Sequence, residues 1–318
     1  RAADANKGKF GHVLVVGGSL GSAGGKAGAP AMTALSALRT GAGLVTAAVP
    51  APAIPLVAAI APELMTWPLA ATAAGQLAAR NLAPNRVKAF VEGKTVLAVG
   101  PGMGQSAETA KFLSGLLAET EIPVVIDADG LNMLASDSEL MKKLAKSAKA
   151  GRVVVLTPHP GEMARLAKTT TAAVQANRLE AARSFAQKHG MTLVLKGWRT
   201  LIAHPDGRVA VNTTGNPGMA KGGSGDLLTG MVAAVLAQFP DHADRAVEAA
   251  VYLHGLAADI AVREEDEHTL VATDCLKHLS RAFRSRAFHF RRSSPKGYVW
   301  LQGLPMESHA AARREAQA

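Results

Sequence analysis

His12-Val-Leu-Val-Val16, then the stretch Ala29 to Thr40, then Leu44-Val-Thr-Ala-Ala-Val49 are the residues whose reading decides the fold. The first and third are short runs rich in β-branched residues with no polar alternation, and the middle one spaces its apolar residues for a helix. A strand that is apolar on both sides needs cover on both faces. The rhythm returns at Thr95–Val99, Val124–Ile126, Val153–Leu156 and Leu193–Leu195, each bounded by Gly, Pro or Asp. Between them Glu108–Leu117 and Ala172–His189 read as helices. This alternation predicts an α/β fold, a three-layer sandwich whose mostly parallel central sheet carries helices on both faces.

The pattern changes near its end. Thr200–Ala203 and Arg208–Val211 flank the turn His204-Pro-Asp-Gly207 and read as an antiparallel hairpin at the sheet edge. Helices are expected at Ser224–Gln238, Ala243–Val262 and Thr273–Ala282. No internal repeat or linker interrupts residues 1–284, which read as one domain. Residues 285–318 have no coherent periodicity and are expected to form a basic, poorly ordered tail.

Composition narrows the function class. The charged fraction is 19% and the net charge +10, which invites a nucleic-acid reading. However, residues 277–318 hold nine of the 35 basic residues and only two of the 25 acidic ones. The body is therefore close to neutral, and nucleic acid is an unfavoured partner. The single cysteine, Cys275, excludes an intrachain disulfide and a Cys-based zinc cluster, consistent with a cytoplasmic protein. No apolar run approaches the roughly 18–20 residues of a membrane helix, and the first residues lack the apolar stretch of a signal peptide.

Chemistry concentrates in Asn212-Thr-Thr-Gly-Asn-Pro-Gly-Met-Ala-Lys-Gly-Gly-Ser-Gly-Asp226. This glycine-dense loop runs straight into a helix with apolar residues at 227, 228, 231, 232, 235 and 236. The first turn of that helix offers free backbone N–H groups and the positive end of the dipole. Gly222, Gly223 and Gly225 leave room for an anion to approach, which is how phosphate is bound. Ser224 is the expected cap, freeing the carboxylate of Asp226 to face the anion as a base for an attacking hydroxyl.

Other signals sit at strand ends, where open α/β sheets bind ligands. Thr157-Pro-His-Pro-Gly-Glu162 holds His159 between two prolines as a candidate ligand contact; His159 and Glu162 lack a third ligand, so no resident metal site is expected. Asp127-Ala-Asp-Gly130 places carboxylates where a magnesium nucleotide could be met, with Asp129 equally suited to cap the next helix. Lys196-Gly-Trp-Arg-Thr200 supplies a lysine for nucleotide phosphates. Gly24-Gly-Lys26 is not a Walker loop, since Leu20 and Ala27 occupy required positions, and Gly100-Pro-Gly-Met-Gly104 has the wrong spacing for a dinucleotide fingerprint.

Taken in order, Lys7-Gly-Lys-Phe-Gly11 before Val13–Gly18, Gly41-Ala-Gly43, Gly100-Pro-Gly102, Asp127–Gly130, Thr157–Glu162, Lys196-Gly197, Gly222–Asp226 and Tyr252-Leu-His-Gly255 resemble the ADP/ATP-dependent NAD(P)H-hydrate dehydratases of the ribokinase-like superfamily. The resemblance covers residues 7 to about 284. It implies a ribokinase-like three-layer sandwich, with Lys196, Gly197, Trp198, Arg199, Thr200 and Gly225 on the adenine nucleotide. Ala29, Gly102, Gly104, His159 and Asp226 would contact the hydrated NADH or NADPH. The implied reaction phosphorylates the ring hydroxyl with Asp226 as catalytic base, then expels phosphate. ADP or ATP is the implied co-substrate with Mg2+. An epimerase domain or partner and a homo-oligomer are further implications. Residue 1 is arginine, which fits a chain detached from such an epimerase domain. Asn6 stands where relatives often carry His.

Two other readings compete. A ribokinase-like kinase for a vitamin-precursor alcohol would share the anion cradle and Asp226 but accumulate a phosphorylated product. A catalytically silent fold binding nucleic acid through its tail is opposed by the near-neutral body.

Overall fold

The structure is a computed structural model and describes residues 3–22 and 24–291. Its strands are β1 His12–Val16, β2 Leu20–Gly21, β3 Gly24–Gly25, β4 Leu44–Pro50, β5 Met65–Leu69, β6 Val96–Val99, β7 Val124–Ile126, β8 Val154–Leu156, β9 Thr192–Leu195, β10 Leu201–Ala203 and β11 Val209–Val211. Nine of them form one sheet in the order β11-β10-β9-β8-β7-β6-β1-β4-β5. From β5 through β9 every neighbouring pair is parallel, and β10 and β11 add an antiparallel edge. β2 and β3 form a separate small hairpin, so Gly24 and Gly25 pair as a strand with Gly21 and Leu20 rather than forming a phosphate loop.

The helices are α1 Gly28–Thr40, α2 Ile54–Ala58, α3 Arg86–Val91, α4 Ala107–Ala118, α5 Asp129–Ser136, α6 Ser138–Lys149, α7 Pro160–Leu166, α8 Thr171–Ala176, α9 Arg178–His189, α10 Ser224–Gln238, α11 Ala243–Ala261 and α12 Asp274–Arg291. Successive strand residues point to opposite faces. Val13 and Val15 belong to the core that α1, α10 and α11 cover, whereas Leu14 and Val16 belong to the core that α4, α5 and α9 cover. These side chains are fully buried, each worth roughly 1.5–3 kcal/mol. Two separate cores, one per face, account for strands with no polar side.

The expected helix over 172–189 is two helices. Asn177 breaks the chain with φ −144° and ψ 61°, so α9 begins anew at Arg178. β5 was not expected, because Pro68 interrupts its run; it lies at the sheet edge, where a missing donor is tolerated. α12 continues to Arg291, beyond Arg284. Most of the basic tail, residues 292–318, lies outside the described residues. Among the described residues no helix is long and apolar enough to cross a membrane.

Strand order fixes where a ligand can sit. The chain starts in the middle at β1, runs outward through β4 and β5, then returns to β6 on the other side. The order reverses between β1 and β6, and the loops after these two strands flank the crevice that such a reversal opens. α10 crosses this region buried from Leu227 to Ala237. A Cβ at Gly230 would fall 2.0 Å from the Thr33 carbonyl oxygen, so this glycine lets α10 pack directly on α1. The Ser36 hydroxyl donates to the Leu227 carbonyl (2.9 Å) and ties the two helices together.

Candidate active site

The strand-end loops singled out in the sequence lie at the carboxyl ends of the parallel strands. Gly223, in the left-handed region at φ 97°, turns the 212–223 loop into α10. Ser224 is the first helical residue, and no side chain caps the helix. This corrects the expectation that Ser224 is the cap: a left-handed glycine makes the entry, and although the Ser224 N–H donates to the Lys221 carbonyl (3.4 Å), those of Gly225 and Asp226 are left for a ligand. Ser224, Gly222 and Gly225 border a cavity of about 800 Å³, together with Lys196, Gly197, Trp198, Arg199, Thr200 and His159. Further walls come from the 212–221 loop and from Leu228, Val251, His254 and Gly255. Trp198 stands 82% exposed at the mouth, with the Arg199 guanidinium 5.3 Å from its ring centre.

Lys196 is the electrostatic centre. Its ammonium donates to Asp127 Oδ1 at 2.8 Å and lies 3.9 Å from Glu162 Oε2. Burial alone would lower its pKa, but Asp127 and Glu162 outweigh that and hold it above the ordinary lysine value. Asp127 is buried, and its second oxygen accepts from the Thr229 hydroxyl at 2.8 Å. Thr229 was missed in the sequence; its signal is a lone hydroxyl on an otherwise apolar stretch of α10. A Cβ at Gly225 would lie 3.2 Å from Lys196 Nζ, so the lysine approaches this turn closely.

A second cluster lies beside the crevice between β1 and β6. Asp129 accepts from the Gly104 N–H (3.0 Å), from Gln105 Nε2 (2.8 Å) and from the Lys26 ammonium (3.4 Å). Of the two roles left open for Asp129, capping is not observed: it is the first residue of α5, and its carboxylate turns to these loops. Gly102, at φ 65°, packs against Lys26 and Ala29. Ala128, between the two aspartates, takes φ 51° and ψ −120°, a strained conformation costing about 1–3 kcal/mol.

Asp226 stands between the clusters. It does not line the large cavity, but its charge is felt by Asp127 and Lys196 on one side and by Lys26 and Asp129 on the other. Burial first, then the neighbouring Asp127, push its pKa up to about 6. No group among the described residues donates a hydrogen bond to it. A half-buried carboxylate with free lone pairs and a pKa near neutrality is equipped to take a proton.

His159 has a structural task as well. It caps α7, its Nδ1 accepting from the N–H groups of Gly161 and Glu162, while the Glu162 carboxylate accepts from the His159 N–H. This is a capping box. The imidazole still borders the cavity, and burial followed by Lys196 and Arg165 lowers its pKa. Asn6 serves locally too, accepting from the Gly8 N–H at 3.0 Å. His254, on α11, is a wall residue to which no role was given: it is buried, and its Nε2 has no partner.

A profile described as NAD(P)H-hydrate dehydratase matches residues 13–281. The chain belongs to the NAD(P)H-hydrate dehydratase family. It is similar to the bifunctional NAD(P)H-hydrate repair enzyme Nnr of Moorella thermoacetica, at 44% identity over 90% of this chain and 51% of that one. The chain thus spans about half the length of that relative. It is 42% identical to the ADP-dependent (S)-NAD(P)H-hydrate dehydratase of Neisseria meningitidis over 82% of this chain and 80% of that one. Its fold matches the crystal structure of the ADP/ATP-dependent NAD(P)H-hydrate dehydratase of Bacillus subtilis co-crystallized with ATP/Mg2+. That match has a TM-score of 0.73 and 32% identity, and it covers 90% of this chain and 93% of that one. The ribokinase-like three-layer architecture expected from the sequence is the one observed.

Proposed function

We propose that this chain restores NADH and NADPH from their hydrated S forms at the expense of an adenine nucleotide. The observation that carries the reading is Asp226, a carboxylate with a pKa near 6, set between an 800 Å³ cavity edged by an uncapped helix start and a separate glycine-lined cluster. The nucleotide occupies the cavity, its phosphates against Lys196 and the N–H group of Gly225. The hydrated nicotinamide lies along Ala29, Gly102, Gly104 and His159.

Asp226 accepts the proton of the ring hydroxyl. The oxygen then bonds to the terminal phosphorus of the nucleotide as the bond to the bridging oxygen breaks, giving AMP from ADP or ADP from ATP. Phosphate departs with its bonding electrons as the neighbouring ring carbon gives up a proton, and the double bond is regained. Hydroxide leaves poorly and phosphate well, which is the purpose of the nucleotide.

Mg2+ would neutralise phosphate charge. Asp127 and Glu162 are the carboxylates to hold it, and no trio of His, Cys, Asp and Glu forms a resident site among the described residues. This donor set suits an ion carried in by the nucleotide. The name of the Neisseria relative supports ADP as the preferred co-substrate. The bifunctional name of the Moorella relative supports a second repair activity beside this one, and an epimerase, in the same chain or separate, would supply the S form.

The test mixes the protein with hydrated NADH, Mg2+ and either ADP or ATP. The reduced-nicotinamide absorbance should return with one phosphate released per turnover. No return with either nucleotide, or a phosphorylated compound that accumulates, would overturn the reading.

A further inference from the structure

Arg178 belongs to none of the motifs and does not border the cavity. It opens α9, where the helix dipole disfavours a cation. Its guanidinium reaches the loop after β9 and donates to the carbonyls of Leu195 (3.2 Å), Lys196 (3.4 Å) and Trp198. Among the described residues no carboxylate pairs with it, and its Nε is buried without a partner. One arginine therefore holds three of four consecutive carbonyls of a loop that edges the nucleotide cavity.

The consequence follows from the peptide unit. Among the described residues there is no cis bond, and in a planar trans peptide the N–H points opposite to the C=O. Where Arg178 draws the Lys196 carbonyl toward itself, the N–H of Gly197 is turned away. Where it draws the Trp198 carbonyl, the N–H of Arg199 is turned away. α9 packs on one face of the sheet, with Phe185 and Ala186 in that core. The cavity opens on the other face, against Leu228 and Val251 of α10 and α11. The two N–H groups accordingly face the cavity, and no acceptor for either exists among the described residues. Gly197 takes φ 136°, which glycine adopts freely, and Arg199 takes φ 56°, a left-handed conformation that needs an external hold.

We propose that Arg178 is a positioning residue, fixing the peptide planes of the loop after β9 so that the N–H groups of Gly197 and Arg199 bind the nucleotide's anionic phosphates. The proposal rests on the nucleotide reading above and adds how the loop is made ready. Arg178 touches no substrate; it acts through the loop, and it fixes the backbone from which Lys196 reaches Asp127. Its own charge, lacking a counter-ion, adds to the attraction through the two peptide dipoles.

The test uses the full chain with Arg178→Met, Arg178→Lys and Arg178→Ala. For Arg178→Met the KM for ADP should rise roughly 10- to 100-fold, as expected for losing charge-assisted hydrogen bonds. The KM for hydrated NADH should stay within about twofold. The nucleotide-free melting temperature should change little, while the upward shift given by ADP shrinks. Arg178→Lys should fall between, because an ammonium cannot span three carbonyls, and millimolar guanidinium should restore ADP affinity to Arg178→Ala. An unchanged KM for ADP in Arg178→Met overturns the proposal. So does a rise in both KM values together with a fall in melting temperature, since that marks a merely structural residue. A wild-type protein that gives no ADP-dependent shift would sink the nucleotide reading and this inference with it.

Discussion

The Lys196 ammonium lies 2.8 Å from Asp127 Oδ1, although the two residues end strands β9 and β7, which are separated in the sheet by β8. Glu162, from the helix after β8, completes the group at 3.9 Å. One cation thus holds three adjacent strand ends together and balances two carboxylates, both of them buried.

Lys196→Met should expose how much depends on that cation. Breaking a buried pair by removing one partner costs roughly 3 kcal/mol or more, readable by chemical denaturation. Lys196 also lowers the pKa of Asp226. Without it the acid limb of the rate profile should move to higher pH, and the KM for the nucleotide should rise at least tenfold. A variant of wild-type stability with an unmoved profile would deny Lys196 its central place.

Asp226→Asn should lose turnover and gain stability. Asp226 titrates near 6 in the fold against an ordinary 3.8. Below pH 4 both folded and unfolded forms are protonated, and the group is neutral to stability. Between about pH 4 and 6 only the unfolded chain ionises it, and above 6 the fold carries the whole cost, up to about 3 kcal/mol. The amide removes that cost at pH 7 and adds nothing at pH 3, which thermal melts at the two values would reveal. In the wild type, the acid limb of the rate profile should fall near pH 6, where the base becomes protonated.

Gly225→Ala separates folding from binding. An alanine in the first turn of α10 favours the helix by about 0.5–1 kcal/mol. Its Cβ would meet Lys196 Nζ at 3.2 Å and Asp127 Oδ2 at 3.6 Å, and the lysine's flexible end can yield. The melting temperature should hold or rise slightly, while the affinity for ADP, followed by calorimetry, drops roughly tenfold. Equal affinity would mean that phosphate does not approach this turn.

His254→Leu makes use of an orphaned polar atom. The imidazole is buried, its Nε2 has no partner, and burial followed by Lys196 lowers its pKa to about 4. The free protein gains no hydrogen bond from it, so an apolar side chain of similar size should leave the nucleotide-free melting temperature unchanged or higher, by about 1 kcal/mol. A marked fall in that temperature would count against an unpartnered imidazole.

The strand-end motifs were legible because each pairs a short apolar run with a turn of Gly, Pro or Asp, and such turns lie together at the carboxyl ends of parallel strands. Asp226 was legible for the same local reason. Ser224 misled, because a serine before a helix reads as a cap, whereas left-handed Gly223 makes the entry. His159 read as a ligand contact, and its capping of α7 emerged only with backbone directions. Thr229 and Arg178 escaped because their partners lie 102 and 17–20 residues away.

Periodicity and turn chemistry, which act over a few residues, settled the layered α/β architecture, the glycine loops and the carboxylate at the start of α10. Which charges meet was decided in three dimensions. Strand order placed Lys196 against Asp127 and Glu162, the break at Asn177 aimed Arg178 at the loop after β9, and packing of α10 on α1 put Asp226 between two clusters. Electrostatic energy depends on distance through space and on burial, and neither quantity is a property of spacing along the chain.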